Sequence, residues 1–196
     1  MKRKFLVGGL LILVALLAAA CSTPETKEQT PETAAQEAMK IDTYTTWKDI
    51  TAYFHPETEL SEDEEKLQSG IKLFQVLGLA NGSESREITH DSWGAIVNAF
   101  YPDFAADLAE EDMKRLEELP YGADPYGVVA RGLARGEKDV KPLAVTTTTT
   151  GAEVLMAVDP EAYAAMSEEE KSALGKATVL DGFAWASQRF EFKPTK

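Results

Sequence analysis

Apolar residues recur at three- and four-residue intervals along most of this chain, in short segments with sharp ends. Tyr44, Trp47, Ile50 and Phe54 share one helical face, and His55-Pro56 stops that helix. Ser61-Glu62-Asp63-Glu64 has the form of a capping box, a hydroxyl for the N-terminal amides and a carboxylate three residues on. Behind it Leu67, Ile71, Phe74, Leu77 and Leu79 predict one helix to about Gly78, closed by the turn Asn81-Gly82-Ser83. Thr89 or Asp91 is placed to cap a third helix with Trp93, Ile96, Val97 and Phe100 on its buried face, ended by Pro102. Met113, Leu116 and Leu119 mark a fourth over Glu110 to Leu119, stopped by Pro120. Asp124-Pro125 reads as an N-cap with proline at the first helical position, opening a helix with Val128, Val129 and Leu133 that fades at Gly136.

Leu143 to Thr150 is the one stretch with strand chemistry, a run rich in stiff β-branched residues. Thr150-Gly151-Ala152-Glu153, Asp159-Pro160 and Ser167-Glu168-Glu169-Glu170 then repeat the helix-start signals. Residues 177–192 fit a helix through Val179, Phe183, Ala186 and Phe190, although Asp181-Gly182 is also a hairpin turn. The expectation is a mainly α domain: an irregular bundle of about six to eight short helices with at most one small antiparallel β element. An α+β domain is the alternative.

The first 40 residues have a different pattern. Met1 to Lys4 carries three cations, and Phe5 to Ala20 is uncharged, ending in Ala18-Ala19-Ala20 directly before Cys21, the only cysteine. The uncharged run of 16 residues is shorter than the ~20 a membrane-crossing helix needs. A cationic start, an apolar stretch and small residues at its end form an export signal. Together with Cys21 this segment resembles the signal and lipobox of bacterial lipoproteins. The resemblance implies cleavage before Cys21, a diacylated cysteine as the new N-terminus, and residence in the cell envelope on a membrane. Two acyl chains suffice for stable anchoring. Ala18-Ala19-Ala20 equally satisfies the small-x-small rule for plain secretion, but a lone exported cysteine then has no disulfide partner. Ser22 to about Lys40, rich in Thr, Glu, Gln and Pro, is expected to be a tether, because it has too little apolar surface to offset the entropy of ordering. The expected organisation is therefore a signal peptide at 1–20, a flexible tether at 21–40 and a single helix-rich domain at 41–196.

Charge narrows the partners. Removal of Met1 to Ala20 takes three of the 20 cations and no acid, leaving 17 against 33 carboxylates and a formal charge of −16. Nucleic-acid binding, which needs a cationic face to displace phosphate counterions, is excluded. One cysteine provides neither a disulfide framework nor a thiolate metal site.

Candidate chemistry is sparse. Histidine occurs only at His55 and His90. His90-Asp91-Ser92 invites a triad, but triads are assembled in space from distant positions, so Asp91 and Ser92 read instead as helix-capping residues beside an exposed His90; no HExxH spacing is present. The acid clusters Glu62–Glu65, Glu110–Asp112 and Glu168–Glu170 all fall in expected first helical turns, where the helix dipole favours them. Pro120-Tyr121-Gly122 and Pro125-Tyr126-Gly127 repeat Pro-Tyr-Gly in a loop of fixed shape, a form suited to binding. Arg131 and Arg135 lie one turn apart with Lys138 and Lys141 following, a cationic patch for an acidic partner or polymer or for the domain's own carboxylates. Tyr121, Tyr126, Arg131 and Arg135 are thus the candidate partner-binding residues, and Cys21 the lipidation site.

These features point to a lipid-anchored, non-enzymatic envelope protein that binds a partner protein or polymer, without a cofactor. The alternative is an envelope hydrolase using His55 or His90 with carboxylates, with or without a metal. A pocket holding either histidine beside converging carboxylates favours the hydrolase, and two solvated histidines far apart disfavour it.

Overall fold

Thr46, Ser92 and Thr150 play the same part at three places in the fold. The computed structural model describes residues 37–181. In chain order its elements are β1 (Met39–Ile41), α1 (Trp47–Phe54), α2 (Glu62–Gly70), α3 (Leu73–Val76), β2 (Arg86–Ile88), α4 (Trp93–Phe100), α5 (Pro102–Asp107), α6 (Glu110–Glu117), a 3-10 turn (Tyr121–Ala123), α7 (Val128–Ala134), α8 (Gly151–Val158), α9 (Pro160–Ala165) and α10 (Glu168–Lys176). The protein is mainly helical, with one two-stranded antiparallel sheet pairing Met39 with Ile88 and Ile41 with Arg86.

Each of the three hydroxyl residues is an extended N-cap whose side chain accepts from the amide three residues on, starting α1, α4 and α8. Four residues after each cap stands Ile50, Ile96 or Val154, all buried, each burial contributing about 1.5–3 kcal/mol. The residues ending these helices, His55, Tyr101 and Asp159, share one non-helical conformation, with φ of −132°, −136° and −147°. The cause is the proline that follows each, Pro56, Pro102 and Pro160, ten residues after its cap, because proline bars the preceding residue from the helical region. Pro102 and Pro160 then open α5 and α9 at the first helical position.

A second cap starts a return helix in each unit. Ser61 and Ser167 close full capping boxes with Glu64 and Glu170, whereas Ala109 caps α6 with no side-chain bond. Eleven residues beyond these caps, Lys72, Pro120 and Thr178 bridge antiparallel to Thr46, Ser92 and Thr150. The chain therefore contains three copies of one closed helical hairpin, spanning residues 46–72, 92–120 and 150–178. In each, the first helix packs on the return helix: α1 on α2, α4 on α6 and α8 on α10.

The lead-in is also repeated. Ile41, Ile88 and Val145 are buried four or five residues before the caps. Thr45 Oγ1 accepts from the Asp42 amide at 3.0 Å, and Thr149 Oγ1 from the Thr146 amide at 2.9 Å. The threonine run is thus a locked turn followed by an N-cap, not the strand that its β-branched composition suggests.

The hairpins form a closed set rather than a line. Phe74, just beyond the first hairpin, meets Phe100 of the second edge-on at 5.5 Å, and Tyr101 donates to the Leu77 carbonyl at 2.7 Å. Beyond the second, α7 packs on α8 of the third. Leu180, just beyond the third, returns to the first: a Cβ on Gly70 would lie 2.4 Å from it.

Several expected elements differ. The helix expected through Leu67 to Leu79 breaks at Ile71, whose extended backbone accepts from the Trp47 amide at 2.9 Å in the hairpin bridge. Of the capping candidates Thr89, Asp91 and Ser92, it is Ser92 that caps α4. Tyr44 stands 77 % exposed in the turn before α1 instead of on its face. The described residues hold ten α-helices where six to eight were expected, chiefly because the prolines read as stops also start helices. Cys21, the segment expected to be a signal and most of the expected tether lie outside the described residues, as do 182–192 of the C-terminal segment left between helix and hairpin.

Candidate functional site

The Pro-Tyr-Gly loop and Arg131 after it belong to the interior. Tyr121 and Tyr126 are 0 % and 1 % exposed, so they cannot serve as partner-binding residues on the surface. Gly127 adopts φ +64° against the Trp93 ring, where a Cβ would lie 2.5 Å away. Trp93 Nε1 donates to the Asp124 carbonyl at 2.8 Å. Asp124, fully buried, is not the N-cap next to a proline that its sequence suggests. Its carboxylate reaches further, accepting from the amides of Val128 (3.0 Å) and Val129 (2.9 Å) at the start of α7. Burial pushes its carboxyl above the usual range, although these amides, that of Leu143 and Arg131 pull the other way.

Arg131 is 6 % exposed. Its Nε donates to the Tyr126 carbonyl at 3.1 Å and its Nη2 to the Val76 carbonyl at the end of α3. Burial lowers its guanidinium to about 10, so it stays charged at neutral pH. Its burial removes it from the set of partner-binding candidates. Arg135 is on the surface, where it pairs with Glu137 at 2.6 Å and donates to the Val158 carbonyl at the end of α8 at 2.8 Å. Arg115 donates to the carbonyls of Lys138 and Val140. These arginines bind backbone carbonyls across the fold, the use to which a planar guanidinium is suited.

The histidines fall in different settings. His55 Nε2 lies 2.7 Å from Asp91 Oδ2, joining the first hairpin to the start of the second. Ser92 is occupied as the α4 cap, so His90, Asp91 and Ser92 do not converge. His90 lines a groove instead. No group of three or more His, Cys, Asp or Glu side chains among the described residues is arranged to hold a metal.

That groove, of about 610 Å³, runs between β2 and the outer faces of α4 and α6. Ile88, Ala95 and Ala99 supply its apolar surface, and Glu87, His90, Ser92, Asn98 and Glu117 its polar groups. Comparison of the hairpins explains why it is open. Helix positions three, six and seven after the cap are Asp49, Ala52 and Tyr53 in the first, and Glu153, Met156 and Ala157 in the third. The second has only Ala95, Asn98 and Ala99 there.

The acid at the first of these positions matters most. Asp49 Oδ2 accepts from the Thr46 amide (2.8 Å) and hydroxyl (2.7 Å). Glu153 Oε2 does the same for Thr150 at 2.8 and 2.9 Å, and these bonds hold the Glu153 carboxyl below its usual range. In the second hairpin Ala95 provides no carboxylate. Ser92 Oγ accepts from the Ala95 amide at 3.2 Å, but among the described residues nothing accepts from the Ser92 hydroxyl or amide. Ser92 is 8 % exposed, and with Ala95 it lines the groove.

Comparison with protein-family models, curated protein sequences and solved structures returns no match for this chain. The groove was missed in the sequence because the hairpin repeat was missed. Its signal is present, a proline ten residues after a hydroxyl cap at three places, but the spacing between copies varies and hides the period.

Proposed function

We propose that this protein is a non-enzymatic binding module, held at a membrane of the cell envelope through lipid on Cys21, with the groove of the second hairpin as its binding surface. What carries this is one difference between three units built on the same plan. Two satisfy their cap donors internally, and the third leaves them facing a groove of a volume typical of ligand sites. The solitary Cys21 directly after the uncharged segment supports the anchor. Arg131 and Arg135 are engaged with backbone carbonyls, which favours the groove over that helix as the candidate surface.

Two measurements test the two halves. Intact mass of the membrane-extracted protein should begin at a diacylated Cys21; an unmodified cysteine sinks the anchor. A photoreactive residue at Asn98, in the groove, should give a discrete adduct in native membranes. The same residue at Thr58, outside it, should give none. Equal labelling at both positions counts against the groove.

The hydrolase remains as a second reading because His90 shares the groove with Glu87 and Glu117. No hydrogen bond joins His90 to either carboxylate among the described residues. A hydrolytic activity lost in His90→Ala with the fold intact would favour it over simple binding.

A further inference from the structure

We infer that the groove of the second hairpin takes a compact zwitterion, a free amino acid or short peptide whose carboxylate completes the cap of α4 and whose ammonium faces Glu87 and Glu117. This rests on the binding-module proposal and specifies its ligand.

The carboxylate half follows from the protein's own repeats. In the first and third hairpins one carboxylate oxygen takes both the amide and the hydroxyl of the cap residue, at 2.7–2.9 Å. The return helices repeat the arrangement, Glu64 on Ser61 and Glu170 on Ser167. The chain thus builds this carboxylate site four times and fills it each time from three residues ahead. At Ser92 the same cap is built, nothing among the described residues accepts from its amide or hydroxyl, and Ala95 leaves the position of the acid as open groove. An incoming carboxylate there meets two donors and the positive end of an eight-residue helix. A ligand carboxylate there gains charge-assisted hydrogen bonds that no side chain of the second hairpin supplies.

The ammonium half follows from the rim. Glu87 and Glu117 line the groove, and no Lys or Arg does. Glu117 is held in place because its backbone packs against Gly94, where a Cβ would lie 2.8 Å from its Cα and N. A purely anionic ligand would be repelled by these two carboxylates and by the net charge of the chain. A purely cationic one leaves the Ser92 donors unmet. A small molecule with both charges satisfies both ends, and Ala95, Ala99 and Ile88 accommodate a short apolar side chain between them.

The test uses full-length lipidated protein in detergent micelles, with the Ser92 amide followed by NMR during titration with glycine, alanyl-alanine and trialanine. Acetate and ethylammonium serve as single-charge controls. At least one zwitterion should shift the Ser92 amide saturably, with neither control doing so at equal concentration. Ala95→Glu, which places the internal carboxylate that the other hairpins use, should abolish that shift. Glu117→Gln should weaken binding about threefold, the scale of one exposed ion pair. Asn98→Trp, on the exposed face of α4, fills the groove by bulk alone and should also abolish binding should Ala95→Glu perturb the fold. No saturable shift with any zwitterion, an equal shift with acetate, or unchanged binding in both Ala95→Glu and Asn98→Trp overturns the proposal. A photoadduct at Asn98 without zwitterion binding would overturn this ligand class and leave the binding-module proposal standing; absence of both removes the two together.

Discussion

Replacing Arg131 by methionine keeps the side chain's bulk and removes its donors. The carbonyls of Val76 and Tyr126 then lose the guanidinium that bonds them in the core. Each buried carbonyl left without a partner costs ~1–3 kcal/mol. Relief of the buried guanidinium's desolvation offsets part of that, giving a net loss of about 3 kcal/mol. This is a large fraction of the ~5–15 kcal/mol that holds a domain folded. With a urea slope of ~2 kcal/mol/M, the unfolding midpoint should fall by about 1.5 M, followed through the fluorescence of the buried Trp47 and Trp93. Arg131→Lys should fall roughly half as far, since a single ammonium cannot present the planar fork that serves two carbonyls. A midpoint for Arg131→Met within about 0.3 M of wild type would refute the structural role and return Arg131 to the surface-recognition role that its sequence suggested.

Other outcomes follow from the repeats and from the buried acid. Gln68, buried with its Oε1 unpartnered, occupies the position that Leu116 and Leu174 fill in the other hairpins, seven residues after the second cap. Gln68→Leu should therefore stabilise the protein by about 1–2 kcal/mol, read as a higher urea midpoint; a lower one would contradict the equivalence. Thr149→Val should cost about 1 kcal/mol by removing the acceptor for the Thr146 amide, whereas the exposed Thr147→Val should shift the midpoint by under about 0.5 kcal/mol. The carboxyl of Asp124 is raised by burial, so the folded state binds its proton more tightly than the unfolded chain does. Its stabilising contribution is complete below the unfolded value of about 3.9 and is lost as pH rises through the raised folded value. Wild-type stability relative to Asp124→Asn should therefore decline with rising pH across that window and then level. A difference independent of pH would show that Asp124 binds its proton equally well in the folded and unfolded states.

Local chemistry was legible in the sequence wherever a few adjacent residues decide the structure. The boxes at Ser61, Thr150 and Ser167 stand as their spacing suggests, because a hydroxyl and an acid three residues apart need no distant partner. The break at Ile71 was not legible, because it is set by a hydrogen bond to Trp47 from across the hairpin. Periodicity alone carries the apolar face straight through it. Arginines and tyrosines between prolines and glycines look like surface chemistry. The burial of Arg131 depends on carbonyls such as that of Val76, 55 positions away, and no local pattern encodes those. The groove was least legible of all. It is defined by an alanine where sister units hold an acid, so it is visible only once the units are aligned.

The contact of Leu180 with Gly70 determines how the domain comes apart. In an open array of helical hairpins each unit touches only its neighbours, and the ends melt first. Here Leu180, just past the last hairpin, returns to Gly70 of the first, so the two ends of the array are in contact. Loosening any one hairpin removes support from the other two, and unfolding should be a single all-or-none event. A domain with that property presents its groove either intact or not at all.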